Sequence, residues 1–380
     1  MIPFNRPHVT GDELRFIAEA VERMQLSANG EFTRRCQQFL KEWSGAQCVL
    51  LTHSCTAALE MAALLAGIGP GDEVILPSFT FVSTANAIAL RGGRPVFVDI
   101  RPDTLNLDEN LVEAAITAQT RAICVVHYGG VAANLEAIGR IASSHGLMLI
   151  EDAAQGMFAA YRGKPLGSFG AFATVSFHET KNVISGEGGA LFVNDASLVE
   201  AAEIAWEKGT DRAQFRRGET DRYSWTSLGS SFAPSEVTAA FLWAQLRRGE
   251  RTTALRVAQW NRYHAAFERL EREGAVERPS IPEDCRHNGH LYRLLLPSEE
   301  ARDAAIAELA RRGVQAIFHY VPLHSSPAGR RLARACGTMR VTEDAARRLI
   351  RLPLHATLSE SEQARVIEAV LAVCGVGVYL

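Results

Sequence analysis

The chain of 380 residues is 47% hydrophobic and 22% charged, with 43 acidic against 40 basic residues and a formal net charge of −3. This balance excludes an intrinsically disordered or collagen-like chain and leaves no basic surplus of the kind that nucleic-acid binding demands. The length suits about two domains, each with a core of its own.

The start, Met1 to Pro7, lacks the charged-then-apolar layout of a secretory signal. The apolar stretch from Cys48 to Ile68 is broken by His53, Ser54, Thr56 and Glu60. The last apolar run, Val366 to Leu380, falls short of the roughly 20 residues needed to span a bilayer and reads as a docked terminal helix. No membrane association is expected, and the cytoplasm is the expected compartment. The 7 cysteines form no CxxC pair and no Cys/His ligand spacing, which predicts reduced thiols and no metal site.

Between residues 48 and 193, short apolar or β-branched runs alternate with longer stretches of helical period, the pattern of a layered α/β domain. The predicted strands are Val49–Thr52, Glu73–Leu76, Pro95–Ile100, Ala122–His127, Leu147–Glu151, Phe172–Phe177 and Ala190–Val193. Helices are predicted at Ala57–Ala66, Leu111–Thr117 and Leu135–Ser144 from apolar residues at i, i+3 and i+4. Residues 195–265 read as helices with a polar, mobile connection around Arg216–Thr220. Beyond residue 266 a strand (Gly289–Leu296), a helix (Ala301–Arg312) and a further strand (Val314–Tyr320) predict a smaller α+β unit. The expected division is therefore 1–265 and 266–380.

In open α/β sheets ligands gather where strands end, so residues just past the strands draw notice. Asp152 follows the apolar run Leu149-Ile150-Glu151, and an acid there suits a helix cap as well as a carboxylate held against a protonated ring nitrogen. Lys181 ends Ser176-Phe177-His178-Glu179-Thr180-Lys181, amid Ser, Thr and Gly, a setting for an amine that forms a Schiff base. Ser54-Cys55-Thr56 joins a strand to a helix whose first N–H groups could cradle phosphate or simply be capped. Phe81 stands past a strand end, where an aromatic ring can stack on a flat cofactor or enter the core. In this order the four elements meet the needs of pyridoxal phosphate: a phosphate site, a stacking ring, a carboxylate and an amine.

The stretches EDAAQ (151–155), SFHETKN (176–182) with its glycine-rich follower, and PSFTFVSTANA (77–87) resemble the DegT-type sugar-nucleotide aminotransferases over nearly the whole chain. The resemblance implies the type I, aspartate aminotransferase-like fold, with a large mixed-sheet α/β/α domain and a smaller C-terminal α+β domain. It makes Lys181 the Schiff-base lysine, Asp152 the partner of the pyridine nitrogen, Gln155 a contact near the ring hydroxyl and Phe81 the stacking ring. Cys55, Thr56 and Ser176 take the phosphate, with Cys55 standing where relatives usually carry Gly. Many relatives lend an Asn from the partner subunit to the phosphate. The matching stretch here is Gly229-Ser230-Ser231-Phe232-Ala233, where Ala233 cannot donate and Ser230 or Ser231 takes its place. A homodimer with shared active sites is implied.

SFHETKN, GEFTRRCQQFL (30–40), VHYGGVA (126–132) and FHYVPLHSSPAG (318–329) are most similar to members that form dTDP-4-amino-4,6-dideoxygalactose. That likeness implies that L-glutamate donates an amine to C4 of dTDP-4-keto-6-deoxyglucose through the pyridoxal and pyridoxamine forms of the cofactor. His319, Tyr320 and His324 become candidate substrate contacts, against an equally weighted reading as a structural strand end. Arg217 and Arg222 could meet a diphosphate, although solvation suits them better. In relatives that dehydrate instead of aminate the cofactor lysine is replaced, commonly by histidine, so Lys181 favours transamination. The alternatives are the gluco epimer, a 3-amino sugar, or a cofactor-binding regulator without turnover.

Overall fold

Seven apolar runs in the first half of the chain assemble with one short strand from the last third into a single eight-stranded sheet, in a computed structural model that describes residues 1–375. The seven are β1 (Cys48–Thr52), β2 (Glu73–Pro77), β3 (Arg94–Val98), β4 (Thr120–Val126), β5 (Met148–Asp152), β6 (Phe172–Ser176) and β7 (Gly189–Val193). Strands β8 (Tyr292–Leu295), β9 (Arg334–Ala335) and β10 (Leu349–Leu352) follow. The order is β1-β7-β6-β5-β4-β2-β3-β9, with β7 antiparallel to both of its neighbours and the other pairings parallel. Each predicted strand of this domain is present within two residues of its expected ends.

Because successive side chains of a strand leave on opposite faces, each strand feeds two cores. Ala122 and Cys124 of β4 pack into one core with Leu76, Ile150 and Leu191. Ile123 and Val125 pack into another with Ile75, Val96 and Leu149. Burial on both faces explains why these strands read as continuous apolar runs rather than alternating ones. The carboxyl ends of β1, β2, β5 and β6 open on one rim, where Asp152 closes β5 and the loops after β1, β2 and β6 carry Cys55, Phe81 and Lys181.

A separate core around Tyr292, Tyr263, Phe267, Ile350 and Val366 forms the smaller unit, with β8 and β10 paired antiparallel. Ile2 and Trp260 also enter this core, so it reaches back across the expected division at residue 265 and takes in part of the helix Gly249–Ala266. The C-terminal helix Glu360–Cys374 docks here, while residues 376–380 of the predicted run lie outside the described residues.

One expectation for this unit needs correction. Val314–Tyr320 is not a strand, since it pairs only through isolated bridges at Val314 and Ile317. His319 and Tyr320 both turn toward the rim instead of alternating, and Pro322 lacks the N–H that would extend a ladder. Strand β9, too short to leave a pattern, adds to the edge of β3, where Arg334 donates to both oxygens of Glu73 at 2.6 Å. Near the expected mobile connection, Arg212–Arg217 is helical and ends at Gly218 in the left-handed conformation. Among the described residues no helix is long and apolar enough to cross a membrane.

Candidate active site

The rim of the large sheet and the loop 317–320 of the small unit enclose a cavity of about 630 Å³. Cys55, Thr56, Phe81, Asp152, Gln155, Ser176, Lys181, His319 and Tyr320 all line it, so most of the residues singled out in the sequence meet in one place.

Asp152 ends β5 and is only 5% exposed. Its carboxylate accepts from Thr84 Oγ1 at 2.7 Å and from the Ala154 N–H at 3.1 Å. Burial raises its pKa, and those hydrogen bonds, with the charge of Lys181, only partly offset the rise. No salt bridge to Asp152 occurs among the described residues. A buried carboxylate without a cation is costly, and a ligand N–H⁺ would relieve it.

Lys181 lies in the turn after β6, its N–H donating to His178 O at 2.9 Å. Burial holds its ammonium below the ordinary lysine pKa, opposed by Cys55 and Asp152 and reinforced by Arg351. That shift favours the neutral amine, the form that attacks a carbonyl or takes a proton.

The helix Cys55–Leu65 starts at the cavity wall, capped by Ser54, whose Oγ accepts from the Ala57 N–H at 3.0 Å. The Cys55 and Thr56 N–H groups ahead of it have no intrahelical acceptor and form an anion-binding end. Thr56 Oγ1 shares a 2.7 Å hydrogen bond with Ser83 Oγ, and the buried Ser176 completes this wall. A Cβ on Gly189 of β7 would stand 2.5 Å from Cys55 N, so the bare backbone lets strand and helix start approach this closely. Burial pushes the Cys55 thiol up to about 12, leaving it neutral. These features fit the groups of pyridoxal phosphate: an anion-binding helix start suits a phosphate, a buried carboxylate suits a protonated ring nitrogen and an amine suits an aldehyde.

Gln155 is held from both ends: Oε1 accepts from the Gly129 N–H at 2.7 Å, and Nε2 donates to Tyr320 Oη at 3.1 Å. His319 shares a 3.0 Å hydrogen bond with Tyr128 Oη. Burial holds the His319 imidazole well below its usual pKa, in the neutral form. Phe81 is 58% exposed, with its ring at the cavity instead of in the core, whereas Phe79 is buried among Tyr128, His319 and Tyr320.

Two candidates stand apart. His324 does not line the cavity; its Nδ1 lies 2.8 Å from Ser78 Oγ and its Nε2 3.3 Å from Glu343, so the ring fastens the loop to the end of β2. Ser230 is exposed on the outer surface beside Leu90 and Leu228, outside this protomer's cavity. Arg217 is engaged with Glu203 and Glu219 at the surface, and Arg222 is exposed.

The structure adds lining residues that were not singled out: Phe4, Asn5, Arg256, His290 and Arg351. They come from the N-terminal segment and from the smaller unit, at sequence distances no local motif spans. A lone Arg in an apolar strand, Leu349-Ile350-Arg351-Leu352, was the one available signal.

The sequence profile of the DegT/DnrJ/EryC1/StrS aminotransferase family matches residues 7–371. The GDP-perosamine synthase of Caulobacter vibrioides is 33% identical over 96% of this chain and 95% of its own. The dTDP-4-dehydro-2,3,6-trideoxy-D-glucose 4-aminotransferase of Saccharopolyspora spinosa is 32% identical over 97% and 95%. The crystal structure of the aminotransferase TlmJ from Streptoalloteichus hindustanus superposes with a TM-score of 0.90 at 31% identity, covering 99% of each chain.

Proposed function

The chain belongs to the DegT/DnrJ/EryC1/StrS aminotransferase family and is a pyridoxal-phosphate-dependent sugar aminotransferase, and from that premise we propose that it makes dTDP-4-amino-4,6-dideoxygalactose. L-Glutamate supplies the amine, C4 of dTDP-4-keto-6-deoxyglucose receives it, and 2-oxoglutarate is released. The observation that carries the aminating chemistry is the pairing, in one cavity, of Lys181 with the buried Asp152, which has no salt bridge among the described residues. The choice of sugar rests on SFHETKN, VHYGGVA and FHYVPLHSSPAG, and is supported by a relative whose name specifies 4-amination of a dTDP-sugar.

When bound, pyridoxal phosphate supplies an electron sink and carries the amine between the two half-reactions. Lys181, whose ammonium burial holds below the ordinary lysine pKa, would remove the proton from the donor's α-carbon in one half-reaction and deliver a proton to the sugar carbon in the other. Asp152 would hold a proton on the ring nitrogen by its charge, its orientation fixed by Thr84 and the Ala154 N–H. Gln155 and Tyr320, joined to each other, form a rigid wall beside the ring. Phe81 would cover one face of the cofactor ring, and His319 and Tyr320, which line the same cavity, would meet the sugar.

A homodimer with shared sites belongs to this reading. The segment carrying Ser230 bears the exposed Trp225 (78%) and Leu228 (58%), next to the exposed Leu90 (70%), an apolar surface suited to a second copy. In such a dimer, Ser230 of one protomer would reach the phosphate site of the other.

The test is incubation of the purified protein with pyridoxal phosphate, L-glutamate and dTDP-4-keto-6-deoxyglucose, followed by NMR of the product. A small H3–H4 coupling, from an axial amine, is the expected result. A large coupling would identify the gluco epimer, and absence of any amino sugar would remove this substrate.

A further inference from the structure

Besides the active-site cavity, the two units enclose a second and much smaller one, of about 20 Å³, at their seam. Thr104, Tyr128 and Gly129 reach it from the large domain, and Trp260, Leu291 and Arg293 from the smaller unit. Residues 279–281 line it and also border a groove on the outer surface, which gives an occupant a short way in. The volume suits one water-sized occupant and leaves no room for a carboxylate, phosphate or sulfate.

Among the described residues Arg293 brings this wall its only charge. It is 3% exposed, donates through Nη2 to Asp103 O at 2.8 Å, and has a buried Nη1 without a hydrogen-bond partner. The acids nearest to it are engaged elsewhere. Both carboxylate oxygens of Asp103 accept from Arg101, at 2.9 and 2.8 Å, and Glu277 pairs with Arg348. Burial pushes the Tyr128 phenol up to about 12, so it is neutral and brings no counter-charge, and burial raises Tyr292 likewise. Across the pairing of β8 with β10, Arg293 stands directly opposite Arg351, and like charges in facing positions repel. A water in the cavity could accept from Nη1 but would leave the charge uncompensated, whereas an anion answers both needs.

We infer that this cavity is a binding site for a monatomic anion, chloride, held by the unpartnered edge of the Arg293 guanidinium. The inference stands apart from the amination reading and from the identity of the sugar. Its place gives it consequence, because Tyr128 Oη shares a hydrogen bond with His319 and the Gly129 N–H donates to Gln155. Two residues on the wall of the anion's cavity thus hold two on the wall of the active site. A chloride at the seam ties the turn at residues 128–129 to β8 and steadies that shared wall.

The experiment measures the thermal midpoint of the holoenzyme as sodium chloride replaces sodium gluconate at constant ionic strength, gluconate being too large to enter. In wild type the midpoint should rise saturably, by about 2 °C or more, as expected of a ligand that binds only the folded state. Arg293→Met keeps the apolar stem and deletes the charge, so its midpoint should be the same in both salts. A wild-type midpoint indifferent to chloride overturns the inference, and so does a chloride response that persists in folded Arg293→Met. If that variant fails to fold, bromide acting on wild-type holoenzyme decides, since a heavy halide beside Trp260 quenches its fluorescence. The expected result is a saturable quenching component that chloride competes away, gluconate leaves alone and Trp260→Phe removes. Quenching that only grows linearly with bromide, the mark of collisions with exposed tryptophans such as Trp225, overturns the site.

Discussion

Glu151 and Asp152, adjacent at the carboxyl end of β5, send their carboxylates to opposite faces of the sheet. Glu151 accepts from His127 Nε2 at 2.9 Å and from the N–H groups of Gly167, Phe169 and Gly170 at 2.7–2.9 Å. Asp152 turns to Thr84 and the cavity. The two-residue period of a strand thus divides one acidic dipeptide into a fastener for the 167–170 loop and a group left for a ligand.

Glu151 should therefore matter to stability rather than to the reaction itself. Removing one side of such a buried hydrogen-bonded pair costs about 3–5 kcal/mol, so Glu151→Ala should lower the thermal midpoint by several degrees. Burial raises the Glu151 pKa, but His127 and the loop N–H groups outweigh it and hold it below the ordinary 4.5. Its stabilisation is consequently complete above the unfolded value and lost as pH falls through the folded one. Thermal midpoints measured from pH 7 down to 3 should fall more shallowly in Glu151→Gln than in wild type; parallel curves would contradict this account.

Asp152→Asn keeps the shape and the Thr84 contact while deleting the charge. Amination should drop by about a hundredfold or more, since a full unit of charge facing the ring nitrogen is lost from a buried setting. Steady-state kcat is the measurement, with circular dichroism to show that the fold persists. Near-normal turnover would take Asp152 out of the mechanism.

Much of this site was legible because its parts lie at strand ends, where a short apolar run followed by Ser, Asp or Lys is a local signal. The strands of the large sheet were legible for the same reason, each being a continuous apolar run. Arg351, Arg256 and Phe4 were not, since they enter the cavity from distant segments whose approach depends on how the smaller unit closes over the rim. His324 misled by adjacency: it follows His319 and Tyr320 closely in sequence, but the chain turns at Pro322 and sends its ring to Ser78. Two-residue strands such as β9 carry no period at all.

Lys181→Ala should abolish the visible band that marks a lysine-bound cofactor and reduce turnover by about 10²–10⁴, the usual share of a positioned acid–base group. Lys181→Arg retains charge but cannot form the covalent link, so it should rescue neither reading. A variant keeping both band and activity would move the lysine's role elsewhere.

Gly189 and Gly139 make opposite predictions for the same substitution. A Cβ at Gly189 would meet Cys55 N at 2.5 Å, Ser54 C at 2.6 Å and Cys55 Cα at 2.7 Å, all backbone atoms at the start of the helix Cys55–Leu65. They cannot yield by a rotamer change, so β7 or the helix must shift, at about 1–3 kcal/mol. That shift re-aims the Cys55 and Thr56 N–H groups, and Gly189→Ala should therefore weaken cofactor retention as well as lower the thermal midpoint. Gly139 lies within the helix Leu135–Ser144 with nothing within 4 Å of its would-be Cβ. Gly139→Ala should stabilise by about 0.5–1 kcal/mol through helix propensity and leave cofactor affinity untouched. Fluorescence titration of apoenzyme with pyridoxal phosphate, run beside thermal melts of both variants, separates the two effects. Loss of stability at Gly189 without loss of cofactor affinity would mean that the close approach serves packing alone.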